Sequence, residues 1–244
     1  LEYRGYDSAG MAIVDETNGQ VQIRKRAGRV ADLEKVWKAN PVNGICGIGH
    51  TRWATHGGVS DVNAHPHRAG RVTMVHNGII ENYEECSHPC EESLLQNYEE
   101  LKDHFGLADE LISDTDSEVV AAVLNRFYTG DPHEALFQTV KCLKGTFALV
   151  VIFDDIPDVI FAIRNVSPIV AAYREDGTML ASDVAALGGQ ATSYMVVPEY
   201  HVVELHTDDI RVYNMKNELC EAEFLDIDWD TTRAGKGNYP FYME

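Results

Sequence analysis

The sequence is short of positive charge. Twenty Lys and Arg stand against 39 Asp and Glu, a formal net charge of −19. Nucleic acid and anionic membrane both require a basic face, so neither is expected as a partner. Long hydrophobic runs are also missing: none approaches the ~18 apolar residues of a membrane span. Cysteine is sparse. Cys46, Cys86, Cys90, Cys142 and Cys220 form an odd, scattered set, which is not a secreted disulfide framework and reads as reduced thiols in a cytoplasmic protein. The opening at Leu1 carries neither the basic n-region nor the apolar h-region of a signal peptide.

What is present is a core. Hydrophobic residues make up 45% of 244 positions, enough for one large domain or two small ones. Asn18-Gly19 between apolar runs at 11–14 and 21–24 signals a hairpin. Val30, Leu33, Val36 and Trp37 recur at helical spacing and predict a helix over 30–39. Strands are expected near 44–50 and 71–76. Thr115 and Glu118 have capping-box spacing ahead of the apolar run from Val119, so Asp116 should lie just before a helix that stops at Gly130. Asp131-Pro132 opens another, ending at Gly145. Beyond Thr146 the texture becomes short strands: 146–153, 158–163, 168–173, 178–182, 195–197, 201–206 and 210–215. This pattern predicts layered α+β architecture. Asn82-Tyr83-Glu84-Glu85 recurs as Asn97-Tyr98-Glu99-Glu100, and residues 81–118 hold thirteen acidic residues against Lys102. A solvated acidic helix pair on the surface is the simplest expectation there. After Trp229, Gly235-Lys236-Gly237-Asn238 reads as the start of a linker.

Three polar runs stand out: Arg4-Gly5-Tyr6-Asp7-Ser8-Ala9-Gly10, Gly49-His50-Thr51-Arg52-Trp53-Ala54-Thr55-His56-Gly57 and His76-Asn77-Gly78-Ile79-Ile80-Glu81-Asn82. The last two follow apolar runs, placing polar groups where a strand hands over to a loop. Arg52 offers a planar fork suited to a carboxylate, or a structural ion pair. Asp116 offers an anion at a helix start, or a cap. The Asn77 amide and the Gly78 N–H can converge on one oxygen, although Asn-Gly is more often a tight turn. Trp53 reads as a core tryptophan and Arg4 as a surface or ion-paired arginine. Cys46 and Cys142 read as inert packing. Cys86-Ser87-His88-Pro89-Cys90 lacks the fourth ligand of a zinc site. Asp114, Asp116 and Glu118 imitate a metal cluster without a further ligand pattern. No metal or cofactor is expected.

Together the three runs resemble the glutaminase half of the glutamine–fructose-6-phosphate aminotransferases, the glucosamine-6-phosphate synthases. The resemblance runs from Leu1 to Phe241-Tyr242-Met243. It implies a four-layer αββα sandwich of the N-terminal nucleophile hydrolase type, over residues 1–230. An acidic insertion would lie near 83–100, and 231–244 would begin a linker to a sugar isomerase region. It further implies that Arg52, Thr55, His56 and Asp116 hold glutamine, with Arg52 and Asp116 facing each other across the length of an amino acid. Asn77 and Gly78 would form the oxyanion hole. Trp53 would be a movable cover and Arg4 a neighbour of the nucleophile. That nucleophile is an N-terminal cysteine, expected upstream of Leu1. The fold of these 244 residues should therefore be incomplete at its N-terminus, with a slot where one strand of a central sheet belongs, and inactive by itself. Cys46-Gly47-Ile48 imitates the family's opening, but its nitrogen is an amide and cannot act as a base. Fructose 6-phosphate and homo-oligomer contacts would belong to the isomerase region. Two alternatives remain open: a module that binds glutamine without turnover, and a related amidotransferase with another ammonia acceptor.

Overall fold

A hairpin opens the fold. Strand β1 (Ser8–Val14) pairs antiparallel with β2 (Val21–Ala27), and Gly19 adopts φ +69° in the loop, where glycine meets no steric cost. Helix α1 (Val30–Ala39) follows, then β3 (Gly47–Arg52) on the other side of β1. Strands β4 (His67–Ala69) and β5 (Val72–Ile80) form a second hairpin. Helices α2 (Tyr98–His104), α3 (Asp116–Phe127) and α4 (Pro132–Cys142) come next. The remainder is antiparallel: β6 (Gly145–Phe153), β7 (Ile156–Asn165), β8 (Val170–Arg174), β9 (Gly177–Ala181), β10 (Ser193–Val196), β11 (Val202–Leu205), β12 (Ile210–Tyr213), β13 (Leu219–Cys220) and β14 (Leu225–Asp226). This computed structural model describes residues 7–54, 57–80, 98–107, 109–187 and 189–227. Arg4, Thr55, His56, the Cys86–His88–Cys90 set, nearly all of 83–100 and all of 231–244 lie outside the described residues.

The layering follows from β6. Its run is almost wholly apolar because both faces are covered. Phe147, Leu149, Val151 and Phe153 pack with Val119, Val120, Val123 and Leu124 of α3 and Leu136 and Val140 of α4. The alternate residues Ala148, Val150 and Ile152 face the other way. The sheet they belong to runs β13-β12-β11-β7-β6-β5-β4. Against its second face lie two smaller sheets, β2-β1-β3 and β14-β10-β8-β9. Ala12, Val14 and Ile48 meet Val75 and Ile152 across one contact; Ile169, Ala171 and Met195 meet Ala148 and Ala162 across the other. With α1 against β1 and β2, the order is helix, sheet, sheet, helix. Truncating Phe147 or Phe153, both fully buried, would cost about 3–5 kcal/mol.

Several expectations need correction. The polar motifs do not sit beyond the strands. His50, Thr51 and Arg52 are inside β3, and His76 to Ile80 are inside β5. Asp116 is the first residue of α3 rather than part of a loop before it, with Thr115 as N-cap accepting from the Glu118 N–H at 3.3 Å. The capping box is only half made, because the Glu118 carboxylate turns to the N–H groups of Ile112 and Ser113. Helices α3 and α4 end at Phe127 and Cys142, before the glycines. The acidic stretch is not simply a solvated pair: Leu101 of α2 and nearby Leu107 are fully buried in the main core. Trp53 is 69% exposed, not core packing. The short strands β4, β13 and β14 carry too few residues to show a period of two.

Candidate active site

Strand β5 sorts its side chains by the period of two. Met74, His76 and Ile80 face α3, while Val75 and Asn77 face the second layer. Asn77 thereby lines a cleft of about 470 Å³ that is bounded by β3 on one side and β9 on the other. Both are edge strands of their sheets. A second cleft of about 390 Å³ continues along the same edges past Cys46 and Gly177. Gly78 is exposed and adopts φ +131°; a Cβ built there would sit 2.0 Å from the Thr146 carbonyl oxygen. Only glycine fits that position. Asn77-Gly78 is thus a deformed strand position, with Asn77 opening onto the cleft, and not a hairpin turn.

Arg52, at the end of β3, is buried at 4% exposure. Its two Nη groups donate to the carbonyls of Gly58, at 3.2 Å, and Gly57, at 3.1 Å. The Asp7 carboxylate lies 3.9 Å away. Gly57 holds φ +75°, and a Cβ there would meet Asn63 Nδ2 at 2.8 Å. The loop that Arg52 grips is anchored from three further sides. Asn63 Nδ2 donates to the Gly58 carbonyl at 2.9 Å. Lys25 Nζ donates to the Val62 carbonyl at 2.8 Å. Asp61 pairs with Arg26 at 3.0 Å and accepts from the Ala27 N–H at 2.6 Å. Burial pushes the Lys25 ammonium down to about 8.

Asp116 is equally buried. Its Oδ2 accepts from the Ile80 N–H at 3.2 Å and lies 3.9 Å from His76 Nδ1, while its Oδ1 accepts from Ser117 Oγ at 3.2 Å. A chain of bonds connects it to Arg52: the Gly57 and Gly58 carbonyls, then Asn63, then Asp114 two residues before Asp116. Neither charge lines the cleft that holds Asn77. Asp114, Asp116 and Glu118 turn to different donors: Asn63, Ile80 and the Ile112–Ser113 backbone.

Four histidines fill the space between these groups. His50 Nε2 lies 3.1 Å from Asn77 Oδ1. The His50 ring stacks on His65 with centroids 4.3 Å apart, and His65 meets His67 edge-on at 4.8 Å. His65 Nδ1 accepts from the His76 N–H at 3.3 Å, His67 Nε2 lies 3.2 Å from Thr115 Oγ1, and His76 Nδ1 lies 3.0 Å from Ser117 Oγ. Burial pulls His50 down to about 4 and His67 to about 2, and holds His65 well below the usual imidazole value. Sequence reasoning missed His50, His65, His67, Asn63 and Lys25 as site residues. The one available signal was imidazole density: His50, His65, His67 and His76 interrupt otherwise apolar or turn-forming text.

Among the described cysteines none has the setting of a nucleophile. Cys46 lies just before β3, half-buried, and burial assisted by Asp158 pushes its thiol up to about 11. Burial likewise raises Cys142, whose Sγ reaches the Gln138 carbonyl at 3.5 Å.

A family model described as a glutamine amidotransferase domain matches residues 58–189. Three curated relatives, each named glutamine–fructose-6-phosphate aminotransferase (isomerizing), align over 100% of this chain. They come from Clostridium acetobutylicum at 37% identity, Thermus thermophilus at 38% and Streptomyces coelicolor at 40%. The chain spans 38% of the length of each. Among solved structures, glutamine phosphoribosylpyrophosphate amidotransferase from B. subtilis superposes with a TM-score of 0.70 at 18% identity, covering 90% of this chain and 45% of that one. A structure described as the allosteric regulatory enzyme of purine biosynthesis gives 0.70 at 19%, covering 88% and 44%. At such identities the likeness is one of fold, and the fold is that of the N-terminal nucleophile amidotransferases.

Proposed function

The chain belongs to the glutamine amidotransferase family, and from that premise we propose that it is the glutaminase part of an enzyme that moves the amide nitrogen of glutamine to fructose 6-phosphate, yielding glucosamine 6-phosphate and glutamate. The observation that carries this reading is identity of 37–40% to aminotransferases of that name over the whole chain. Asn77 on the wall of the cleft, next to the glycine-only position 78, gives it a chemical location.

In this reading a cysteine thiolate adds to the side-chain amide carbon, Cδ, of glutamine and the amide oxygen becomes an oxyanion. The Asn77 Nδ2 and the Gly78 N–H hold that charge. The carbon–nitrogen bond then breaks, the departing nitrogen takes a proton from the cysteine's α-ammonium, and ammonia leaves. Water cleaves the thioester to glutamate and free thiol. We assign the thiol to a strand laid into the cleft between β3 and β9, whose facing edges pair with no further strand among the described residues. Arg52 and Asp116, with Thr55 and His56, are the proposed contacts for the two charged ends of glutamine, whose side chain would have to reach from them into the cleft that Asn77 lines. Exposed Trp53 suits a cover over the site, and Arg4 is proposed to stand near the thiol. Sugar-phosphate binding and homo-oligomer contacts are assigned to the part of the relatives' length that this chain does not span.

No helix among the described residues is long and apolar enough to cross a membrane. Free Cys46, Cys142 and Cys220 fit a reducing, cytoplasmic setting.

The test is direct. The full-length protein should release glutamate from glutamine and form glucosamine 6-phosphate when fructose 6-phosphate is supplied. Glutamate release without the amino sugar, whatever the sugar phosphate offered, would point to another ammonia acceptor. Binding of glutamine without glutamate release would identify a binding module.

A further inference from the structure

An oxyanion hole built on asparagine has a problem of orientation. The two ends of the amide have the same size, but only Nδ2 can donate to a negative oxygen; Oδ1 in its place would repel it. Something must decide which end faces the substrate. In this fold the partner is His50. It stands on β3, in a different sheet from Asn77 on β5, and the bond between them crosses the gap between the two layers at 3.1 Å. Both residues line the cleft.

We propose that His50 is the positioning residue of the oxyanion hole: its Nε2–H donates to Asn77 Oδ1 and so turns Asn77 Nδ2 toward the reacting carbonyl. The inference rests on the glutaminase reading of the site.

The hydrogen-bond arithmetic supports one arrangement over its mirror. An amide oxygen cannot donate, so a bond to Oδ1 requires the proton on Nε2 and leaves Nδ1 bare. His50 Nδ1 is fully shielded and has no hydrogen-bond partner among the described residues. Either state leaves Nδ1 unmet, but an orphaned buried N–H is rarer in folded proteins than an under-satisfied acceptor. Flipping Asn77 would force that second state: its Nδ2 would need a lone pair on Nε2, and the proton would move to the shielded Nδ1. The surroundings also keep the ring still. The His65 ring stacks on it at 4.3 Å, and His65 is itself tied to β5 through the His76 N–H. Opposite His50 in the β1–β3 register stands Gly10, where a Cβ would be 2.0 Å from the His65 carbonyl. The absence of a side chain at position 10 lets the histidine loop pass beneath β1.

The experiment uses the full-length protein and compares His50→Leu with His50→Gln. Both fill the space, but only glutamine retains a donor. Leucine should lower kcat for glutamate release by roughly 10- to 100-fold with little change in the glutamine KM, and glutamine should recover most of that loss. Affinity for glutamate γ-semialdehyde, whose thiol adduct places an oxyanion in the hole, should fall alongside kcat. Combined with Asn77→Ala, the His50→Leu change should add almost nothing, because its effect passes through Asn77. Equal kcat losses for leucine and glutamine, or a full multiplicative loss on top of Asn77→Ala, would overturn the proposal. The premise is checked separately: if Asn77→Ala alone leaves kcat unchanged, the oxyanion assignment itself fails.

Discussion

Asn63 and Asp114 are bonded at both ends of the amide. The Asp114 N–H donates to Asn63 Oδ1 at 3.1 Å, and Asn63 Nδ2 lies 3.4 Å from the Asp114 carboxylate. The same Nδ2 holds the Gly58 carbonyl, which Arg52 also grips. One buried side chain therefore sets the separation between the segment carrying Arg52 and the segment carrying Asp116.

Asn63→Ala should act at a distance from chemistry. It strands the Asp114 N–H, and each such buried orphan costs about 1–3 kcal/mol. Stability in denaturant should fall by that order. Because the two proposed glutamine contacts lose their common brace, the glutamine KM should rise more than kcat falls. A lowered kcat with an unchanged KM would detach Asn63 from substrate binding.

Gly78→Ala should be more damaging than an ordinary strand substitution. The new Cβ would collide with backbone, the Thr146 carbonyl at 2.0 Å, and the φ of +131° is itself strained for any L side chain. Strands β5 and β6 must separate to relieve the clash, and the backbone at 78 must rotate to relieve the strain. Turnover should drop by at least ~10²-fold, the range seen for loss of one oxyanion donor, and the melting temperature should fall. Wild-type turnover would show that the Gly78 N–H takes no part.

The layers are legible where periodicity is long. The helix over 30–39, the two helices after Thr115 and the seven strands after Thr146 all announce themselves, and most of them, α3, α4, β6 and β7 above all, bury a face wide enough to impose a pattern. The handover from strand to loop is misleading at both motifs. Polar residues such as His50 and Asn77 look like loop text, yet they point into a cleft between sheets, and strands lining a cleft carry polar side chains on one face. The His50–Asn77 bond and the Asn63 brace are invisible for a different reason. They join residues 27 and 51 positions apart, and no local spacing encodes such a meeting. Exposed Trp53 is easily misread because composition favours burying tryptophan, whereas this one projects into solvent at the end of β3.

Cys46 should be dispensable. Its thiol is pushed up to about 11, so the thiolate fraction near pH 7 is negligible. In the full-length protein Cys46→Ala should leave glutaminase activity intact, and iodoacetamide should label Cys46 slowly in the folded state, as read by peptide mass spectrometry. Loss of turnover in that variant, with its melting temperature preserved, would make Cys46 the nucleophile and overturn the proposed strand in the cleft.

The buried histidine cluster and His133 of α4 should give the fold opposite pH dependences. His65 and His67 are buried and His50 is half-buried in the cleft wall, and desolvation holds all three below the ordinary 6.5. Below that pH the unfolded chain takes up protons that the folded one refuses. Their contribution is therefore complete above about 6.5 and declines as pH falls toward 4, by roughly 1.4 kcal/mol per pH unit for each group that stays neutral. His133 behaves in reverse. Burial pulls it down, but hydrogen bonds to Glu204, at 2.9 Å, and to Asn217 outweigh this and leave it raised. Its contribution is present below 6.5 and is lost as pH rises through the raised value. Melting temperature should therefore fall steeply between pH 6.5 and 4.5. On the alkaline side a shallower decline should appear, and Glu204→Gln should remove it. A profile flat down to pH 4.5, or imidazole resonances of His50 and His67 titrating near 6.5, would mean that the cluster is open to water and that His50 is not held still beneath Asn77.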